Sequence, residues 1–202
     1  MRKVCIILFS LFTIGAAVRP EPGDLVHRLI VQPSSKITIN GKTNVNNFTC
    51  AIKRYTGKDT LVLIESGKRK PVFRQGAVGL LANSFDCGLQ LMTNDFAQTI
   101  KAKEYPNVSI EFVSFERVPR YDKKEDAFKG RMKISLAGVT KPFEVDCTIE
   151  TQPDGIIHLK GGRTFAFKDF NLEAPSRMMG LVKVQETLQV SFHLVLLLDM
   201  DG

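Results

Sequence analysis

Between Thr93 and Ile149 the chain alternates apolar and polar residues in a way that leaves few folds open. Val108, Ile110 and Phe112 recur at every second position after Tyr105-Pro106; Met132, Ile134 and Leu136 do so again, and then Phe143, Val145, Cys147 and Ile149. Successive side chains of a strand point to opposite faces, so a period of two buries one face of an antiparallel sheet and wets the other. Ala137-Gly138-Val139-Thr140-Lys141-Pro142 supplies turn residues between the last two runs, which read as a hairpin. Thr93 to Lys103 reads as a short helix. Thr93-Asn94-Asp95 offers an N-cap and early negative charge, Phe96 and Ile100 fall one turn apart, and Lys101 and Lys103 suit the C-terminal end. Pro106 lacks an N–H and disfavours helical geometry before it, so the helix is expected to stop there. This pattern points to an all-β barrel or sandwich, architectures that more often bind than catalyse.

The same reading extends along the chain. Leu25 to Val31 and Ser35 to Asn40 are expected strands, with Ile37 and Ile39 on one face, and Asn40-Gly41 is expected to reverse the chain into Val45 to Ile52. Thr60 to Ser66 is apolar on both faces, as an interior strand or one beneath a covering helix would be, and Val78 to Phe85 follows. Gly161-Gly162 within Ile156 to Phe167 suggests a bulge or sharp bend. Asp169 to Gly180, with Phe170, Leu172, Pro175, Met178 and Met179, lacks periodicity and reads as a long apolar loop. The last strand sets Leu188, Val190, Phe192, Leu194 and Leu196 on one face, lining a packed core or a dry cavity.

Arg2 and Lys3 precede an uncharged apolar run, Val4 to Ala17, that ends in Gly15-Ala16-Ala17. This is the form of a secretory signal peptide, expected at residues 1–17, and it leaves 18–202 as one exported domain. The run is shorter than the roughly 20 residues that span a bilayer. The formal charge is +7, and without Arg2 and Lys3 the remaining 26 basic against 21 acidic residues leave +5. The densest basic point, Lys68-Arg69-Lys70 with Arg74, sits among glycine and proline and reads as a solvated loop. No tryptophan and only three tyrosines argue against an aromatic-and-cation nucleic-acid surface.

Cys50, Cys87 and Cys147 remain after cleavage, and an oxidising compartment permits any of three pairings with one odd thiol. Cys147 falls in the apolar phase of Phe143, Val145 and Ile149 as a core hydrophobe would, which favours a Cys50–Cys87 disulfide. His27, His158 and His193 lie in separate segments, and neither His-x-x-x-His nor Cys-x-x-Cys spacing occurs. His158 and His193 alternate with apolar neighbours and are expected to face solvent. No metal, cofactor or catalytic residue is expected.

Several segments together resemble the YceI-like family of exported bacterial proteins. They are Ser35-Lys36-Ile37-Thr38-Ile39-Asn40-Gly41 leading to Asn44-Val45-Asn46-Asn47-Phe48, Tyr105-Pro106-Asn107-Val108-Ser109-Ile110-Glu111-Phe112, Gly130 with Ala137 to Pro142, Asp169-Phe170-Asn171-Leu172, Pro175, and Gly180-Leu181-Val182-Lys183-Val184. The resemblance spans residues 25 to 198. It implies an extended eight-stranded antiparallel lipocalin-like barrel with one or two short helices. Such a barrel would hold a long apolar molecule, a polyisoprenoid, isoprenoid quinone or similar lipid, for transport, storage or stress response in the periplasm. For such a ligand, Phe96 and Ile100 are the expected lid. Ile110, Phe112, Met132, Ile134 and Phe192 are the expected wall, and Phe170, Met178 and Met179 the expected mouth. The expected partner is the lipid, with a transient membrane-surface contact and a dimer both left open. The competing reading is an interaction or structural module with a filled core, met by partners through its basic loop.

Overall fold

Antiparallel strands that bury one face must either pack on a second sheet or close on themselves, and here they close. The computed structural model describes residues 22–199 apart from 53, 153, 154 and 178. The expected signal peptide and Met178 therefore lie outside the described residues. In chain order the elements are β1 (Leu25–Val31), β2 (Lys36–Lys42), β3 (Asn47–Ile52), β4 (Thr60–Glu65), β5 (Val72–Gln75), β6 (Ala77–Leu81) and a 3₁₀ turn (Ala82–Ser84), then α1 (Gln90–Thr99). There follow β7 (Asn107–Phe115), β8 (Asp126–Leu136), β9 (Val139–Thr151), β10 (Ile156–Ala166), a second 3₁₀ turn (Phe167–Phe170), β11 (Ser176–Arg177), β12 (Val182–Lys183) and β13 (Thr187–Leu198).

Eleven of these strands form one sheet, yet the barrel has eight staves, because the first three staves are each broken in two. One edge of β13 pairs with β10 from Thr187 to Leu197. Its other edge takes β2, from Gln189↔Asn40 to His193↔Lys36, and then β1, from Leu196↔Val31 to Leu198↔Leu29. Buried Ser35 holds the break between β1 and β2, its Oγ accepting the Val195 N–H at 3.0 Å. In the same way β3 lies against β2 and β4 against β1, while β5 and β6 both lie against β7. Chain direction gives the barrel two distinct ends. At one, here called upper, α1 connects β6 to β7, and the 167–186 segment connects β10 to β13. At the lower end lie Leu25, Glu65, Asp126 and Thr151.

The lower half is solid. Phe112 and Met132 are each 1% exposed, and Leu61, Leu63, Leu159, Leu194 and Leu196 are buried with them. Phe112 meets Phe192 edge-on at 5.6 Å between centroids, and Phe115 meets Phe73 at 5.0 Å and Phe128 at 4.7 Å. At the lower rim buried Asp126 accepts hydrogen bonds from Arg117 Nη1 at 2.6 Å, Arg117 Nη2 at 2.9 Å and the Arg120 N–H at 2.9 Å. The Arg117 guanidinium holds the Asp126 carboxyl well below the usual carboxylate range, against the upward push of burial.

Five local expectations need correction. Asn40-Gly41 does not turn the chain: both residues lie inside β2, and Thr43 to Asn46 makes the reversal through Thr43 Oγ1, which accepts the Asn46 N–H at 2.9 Å. Gly41 is required instead because the Phe48 ring lies across it, where a Cβ would collide. Gly161-Gly162 makes no bulge against β13, where the register runs unbroken, and Gly161 leaves room for the Phe192 ring. The helix starts at Gln90 with Leu89 as its N-cap, so Thr93 is internal and its hydroxyl accepts the Cys87 N–H at 3.0 Å. The helix also ends well before Pro106, at Ile100, because Lys101 adopts a left-handed φ of 54°. The expected loop from Asp169 to Gly180 contains the end of a 3₁₀ turn and β11, which pairs with β12 just beyond it. The hairpin at Ala137-Gly138 is as expected, with φ of 50° and 77° at its two turn residues, the signature of a tight type I′ connection.

Candidate functional site

The upper half of the barrel is not filled. Its strands set Ile37 and Ile39 of β2, Val108 and Ile110 of β7, Ile134 and Leu136 of β8, and Leu188 and Val190 of β13 around an interior cavity of about 90 Å³. These are the inward positions of a period-two pattern, one layer above Phe112, Met132 and Phe192. From above, the cavity is roofed by Phe96 of α1 and Ile100 at its C-terminus, and by Phe167, Phe170 and Leu172 beyond β10. Phe96 packs on Phe85 at 5.3 Å, and Phe170 leans on Phe143 at 5.8 Å and on Phe165 at 6.1 Å. Asp169 orients its turn by accepting the Ala166 N–H at 2.9 Å, and Asn171 closes it in the left-handed region. Every described residue that lines the cavity is apolar, and none carries a titratable group.

A second space of about 300 Å³ adjoins the first on its outer side and shares Phe96, Phe167 and Leu188 with it. Val45 and Phe48, Leu89, Leu91 and Met92 at the α1 entry, and Val182 and Val184 bound this groove. Its described lining holds one acid and one base, Asp95 and Arg177, and these are joined, with Arg177 Nε donating to Asp95 Oδ2 at 2.6 Å.

The wall of the upper half contains a seam. Among the described residues no ladder joins β3 to β6, whereas β4 and β5 are paired directly beneath them. The chain between β6 and α1 closes the gap: Ala51 and Asp86 exchange backbone hydrogen bonds at 2.9 and 3.0 Å, and Cys50 is disulfide-bonded to Cys87. Asp59 adds a further tie, accepting the Tyr55 hydroxyl and the Gly79 N–H, the latter at 2.7 Å. The Cys50–Cys87 pairing is as expected from sequence. Cys147 is the buried free cysteine, its thiol pushed up to about 12 by burial.

Of the ten residues anticipated for the ligand site, Phe96, Ile100, Ile110, Ile134 and Phe170 line the cavity together. Phe112, Met132 and Phe192 lie below it as its floor. Met179 is fully exposed at the tip of the β11–β12 hairpin, with φ of 52°, and Met178 is outside the described residues. Twelve further residues line the cavity, and they differ in how far the sequence marked them. Ile37, Ile39, Val108, Leu136, Leu188 and Val190 continue an alternation already visible, whereas Phe167, expected to end a strand, and Leu172, expected in an apolar loop, are brought to the cavity by a non-periodic turn.

Polar groups cluster elsewhere. His158 and His193, expected to be separate, are neighbours on the outer face of β10 and β13, with His158 Nδ1 2.8 Å from His193 Nε2 and Gln152 2.7 Å from His158 Nε2. At the lower end His27 Nε2 lies 3.3 Å from Glu65 Oε1, with the Tyr121 ring tilted beside it at 6.1 Å between centroids. Among the described residues no group of three or more His, Cys, Asp or Glu side chains could hold a metal ion.

Eight antiparallel staves, packed solid at one end and enclosing a helix-roofed apolar cavity at the other, define a lipocalin-like β-barrel. The YceI-like domain model matches residues 30–196, and the chain belongs to the YceI-like family. Among solved structures, it is similar to a polyisoprenoid binding domain from Saccharophagus degradans implicated in plant cell wall breakdown. That match has a TM-score of 0.62 at 12% identity, covering 85% of this chain and 98% of that one. It is also similar to Burkholderia cenocepacia BcnA, with a TM-score of 0.55 at 19% identity over 80% of this chain and 96% of that one. At these identities the likeness is one of fold. No curated protein matches the chain.

Proposed function

We propose that this protein is an exported, non-enzymatic carrier that takes one long apolar chain, a polyisoprenoid, isoprenoid quinone or similar lipid, into the upper half of its barrel. The observation that carries this reading is the wholly apolar cavity, which shares Phe96, Phe167 and Leu188 with the groove beside it. An enzyme site needs converging polar groups with shifted ionisation, and here such groups lie outside the lining. The Saccharophagus degradans relative is itself described as polyisoprenoid binding, which agrees with that chemistry.

Volume decides how the ligand is held. Small-molecule sites occupy roughly 300–1,000 Å³, so the interior cavity of about 90 Å³ takes only the leading segment of a chain. Joined to the groove of about 300 Å³, it enters that range. Phe96 stands at the junction, and rotation of its ring lets the chain pass from one space to the other. Holding then rests on surface burial, about 25 cal/mol for each Å² of apolar area removed from water, with no single indispensable contact. The Cys50–Cys87 disulfide and the basic-then-apolar N-terminal segment support export to an oxidising compartment.

Native mass spectrometry of protein purified from its own host is expected to find one apolar adduct per chain, and geranylgeraniol is expected to displace it. Ile134→Trp, which fills the cavity, is expected to weaken geranylgeraniol binding at least tenfold. An empty protein that takes up neither geranylgeraniol nor a quinone would refute the carrier. The filled lower half favours the other reading, an interaction module. That reading predicts a partner lost when the exposed Lys68 and Lys70 are neutralised, and no lipid uptake.

A further inference from the structure

Ten large apolar side chains are exposed among the described residues, and five of them belong to the three segments that border the outer groove. Val45 (67% exposed), Leu89 (69%), Leu91 (67%), Met179 (104%) and Leu181 (70%) all lie at the upper end around the outer groove. They come from three separate segments, the β2–β3 turn, the entry to α1 and the β11–β12 hairpin. These segments are bound together: Asn44 Nδ2 donates to the Leu181 carbonyl at 2.8 Å, the Lys183 N–H donates to Asn44 Oδ1 at 2.9 Å, and Arg177 bridges to Asp95 of α1. Polar contacts behind the apolar tips thus join the three segments into one crown.

We infer that this crown docks on the surface of a lipid bilayer, with the Val45, Leu89, Leu91, Met179 and Leu181 side chains in the acyl boundary and the groove opening directly into it. The inference rests on the carrier reading and deepens it by naming where the apolar chain crosses between protein and membrane. Three features favour a bilayer over a second copy of the chain. The apolar groups project singly from three tips around a hollow, a shape that a deformable acyl phase fills and a rigid two-fold copy does not. The described lining of the groove carries no unpaired charge, since Asp95 and Arg177 neutralise each other, so it enters an apolar phase without stranding an ion. The groove and the cavity also share Phe96, Phe167 and Leu188 as common wall, so displacement of the Phe96 ring would let an acyl or isoprenoid chain move from boundary to barrel without crossing water. Docking by apolar tips resembles that of interfacial segments, whose binding scales with buried apolar area.

The chain contains no tryptophan, so a single Leu181→Trp is an unambiguous reporter. In vesicles of phosphatidylcholine, its emission is expected to shift to the blue and to be quenched by brominated acyl chains, with little dependence on salt. Met179→Asp/Leu181→Asp, at two tips outside the described linings of groove and cavity, is expected to reduce vesicle co-sedimentation at least tenfold while leaving geranylgeraniol affinity in solution within twofold. Ile134→Trp separates the two readings, because it is expected to lose geranylgeraniol and still sediment with vesicles. Indole emission from the Leu181→Trp protein that stays unshifted in vesicles overturns the inference. So does vesicle binding that survives the aspartates, or sedimentation of the free chain as a dimer that the aspartates dissolve.

Discussion

The seam between β3 and β6 makes the Cys50–Cys87 disulfide the most informative bond to remove. It closes a loop spanning 37 residues. In the chain-entropy model such a loop restricts the unfolded ensemble by about 4 kcal/mol at 25 °C. The native state loses little directly, because the Ala51 and Asp86 backbones remain paired across the seam without the sulfurs. Both cysteines are buried, Cys50 completely, so alanine strands no polar group. Cys50→Ala/Cys87→Ala is therefore expected to lower the urea unfolding free energy by about 4 kcal/mol, and chemical reduction of the native chain should do the same. A loss below about 1 kcal/mol in both experiments would refute the loop argument and require residual structure in the unfolded chain. Thiol titration supplies an internal check. The oxidised native protein should react slowly if at all, since Cys147 is 3% exposed with its pKa pushed up to about 12, and urea should release one thiol. Three thiols in denaturant would mean that the bond is not made.

The division between floor and lining is open to the same kind of measurement. Phe112→Ala is expected to cost about 3–5 kcal/mol by urea unfolding, whereas the half-buried Phe96 should cost only about 1 kcal/mol and change geranylgeraniol binding instead. Asp126 binds its proton more weakly in the folded chain, so its contribution is fully present above about pH 4 and is lost as the pH falls through the folded value. The stability gap between the native chain and Asp126→Asn should narrow on that descent, measured by urea unfolding at each pH. The folded pKa of His193 is also lowered, first by burial and then by His158, so the unfolded chain takes up its proton more readily. Stability should fall as the pH drops below about 6.5, and His193→Gln should flatten that slope.

How far the sequence reaches depends on the length scale of each signal. Strands β7 to β10 and β13 were legible because Val108, Ile110 and Phe112, or Leu188 to Leu196, repeat a local period that burial alone enforces. Gly41 and Gly161 misled for a common reason. Local sequence marks a glycine as a backbone device, whereas each of these is small because a ring distant in sequence, Phe48 or Phe192, lies over it. The height of the cavity was illegible for a related reason: Ile110 and Phe112 face the same interior, and only the assembled barrel puts one in the lining and the other in the floor. The His158–His193 contact joins residues 35 apart, and a period-two reading of either strand says nothing about the register between them.

The broken staves also bear on how a cavity this small admits a long chain. In the lower half the ladders run all the way round, from β1 through β4, β5 and β7 to β10, β13 and back to β1. Widening that ring would break strand hydrogen bonds over a packed aromatic floor. Above the breaks, β3 and β6 share no ladder among the described residues, and the roof consists of one helix with no fully buried residue and a short 3₁₀ turn. Outward movement of α1 there opposes the Phe96–Phe85 contact, the Arg177–Asp95 pair, the Thr93–Cys87 hydrogen bond and the packing of Met92 and Ala97, with the Cys50–Cys87 disulfide anchoring the chain just before the helix. Segments with few buried apolar contacts open at the lowest free energy, so the barrel dilates at its upper end first. Amide exchange should therefore be fastest in α1 and β6 and slowest in β8 and β9. A crosslink holding α1 to β11, formed by Asp95→Cys with Arg177→Cys, should slow geranylgeraniol uptake at least tenfold and leave urea stability no lower. Unchanged uptake in the crosslinked protein would place the entrance somewhere other than under the helix.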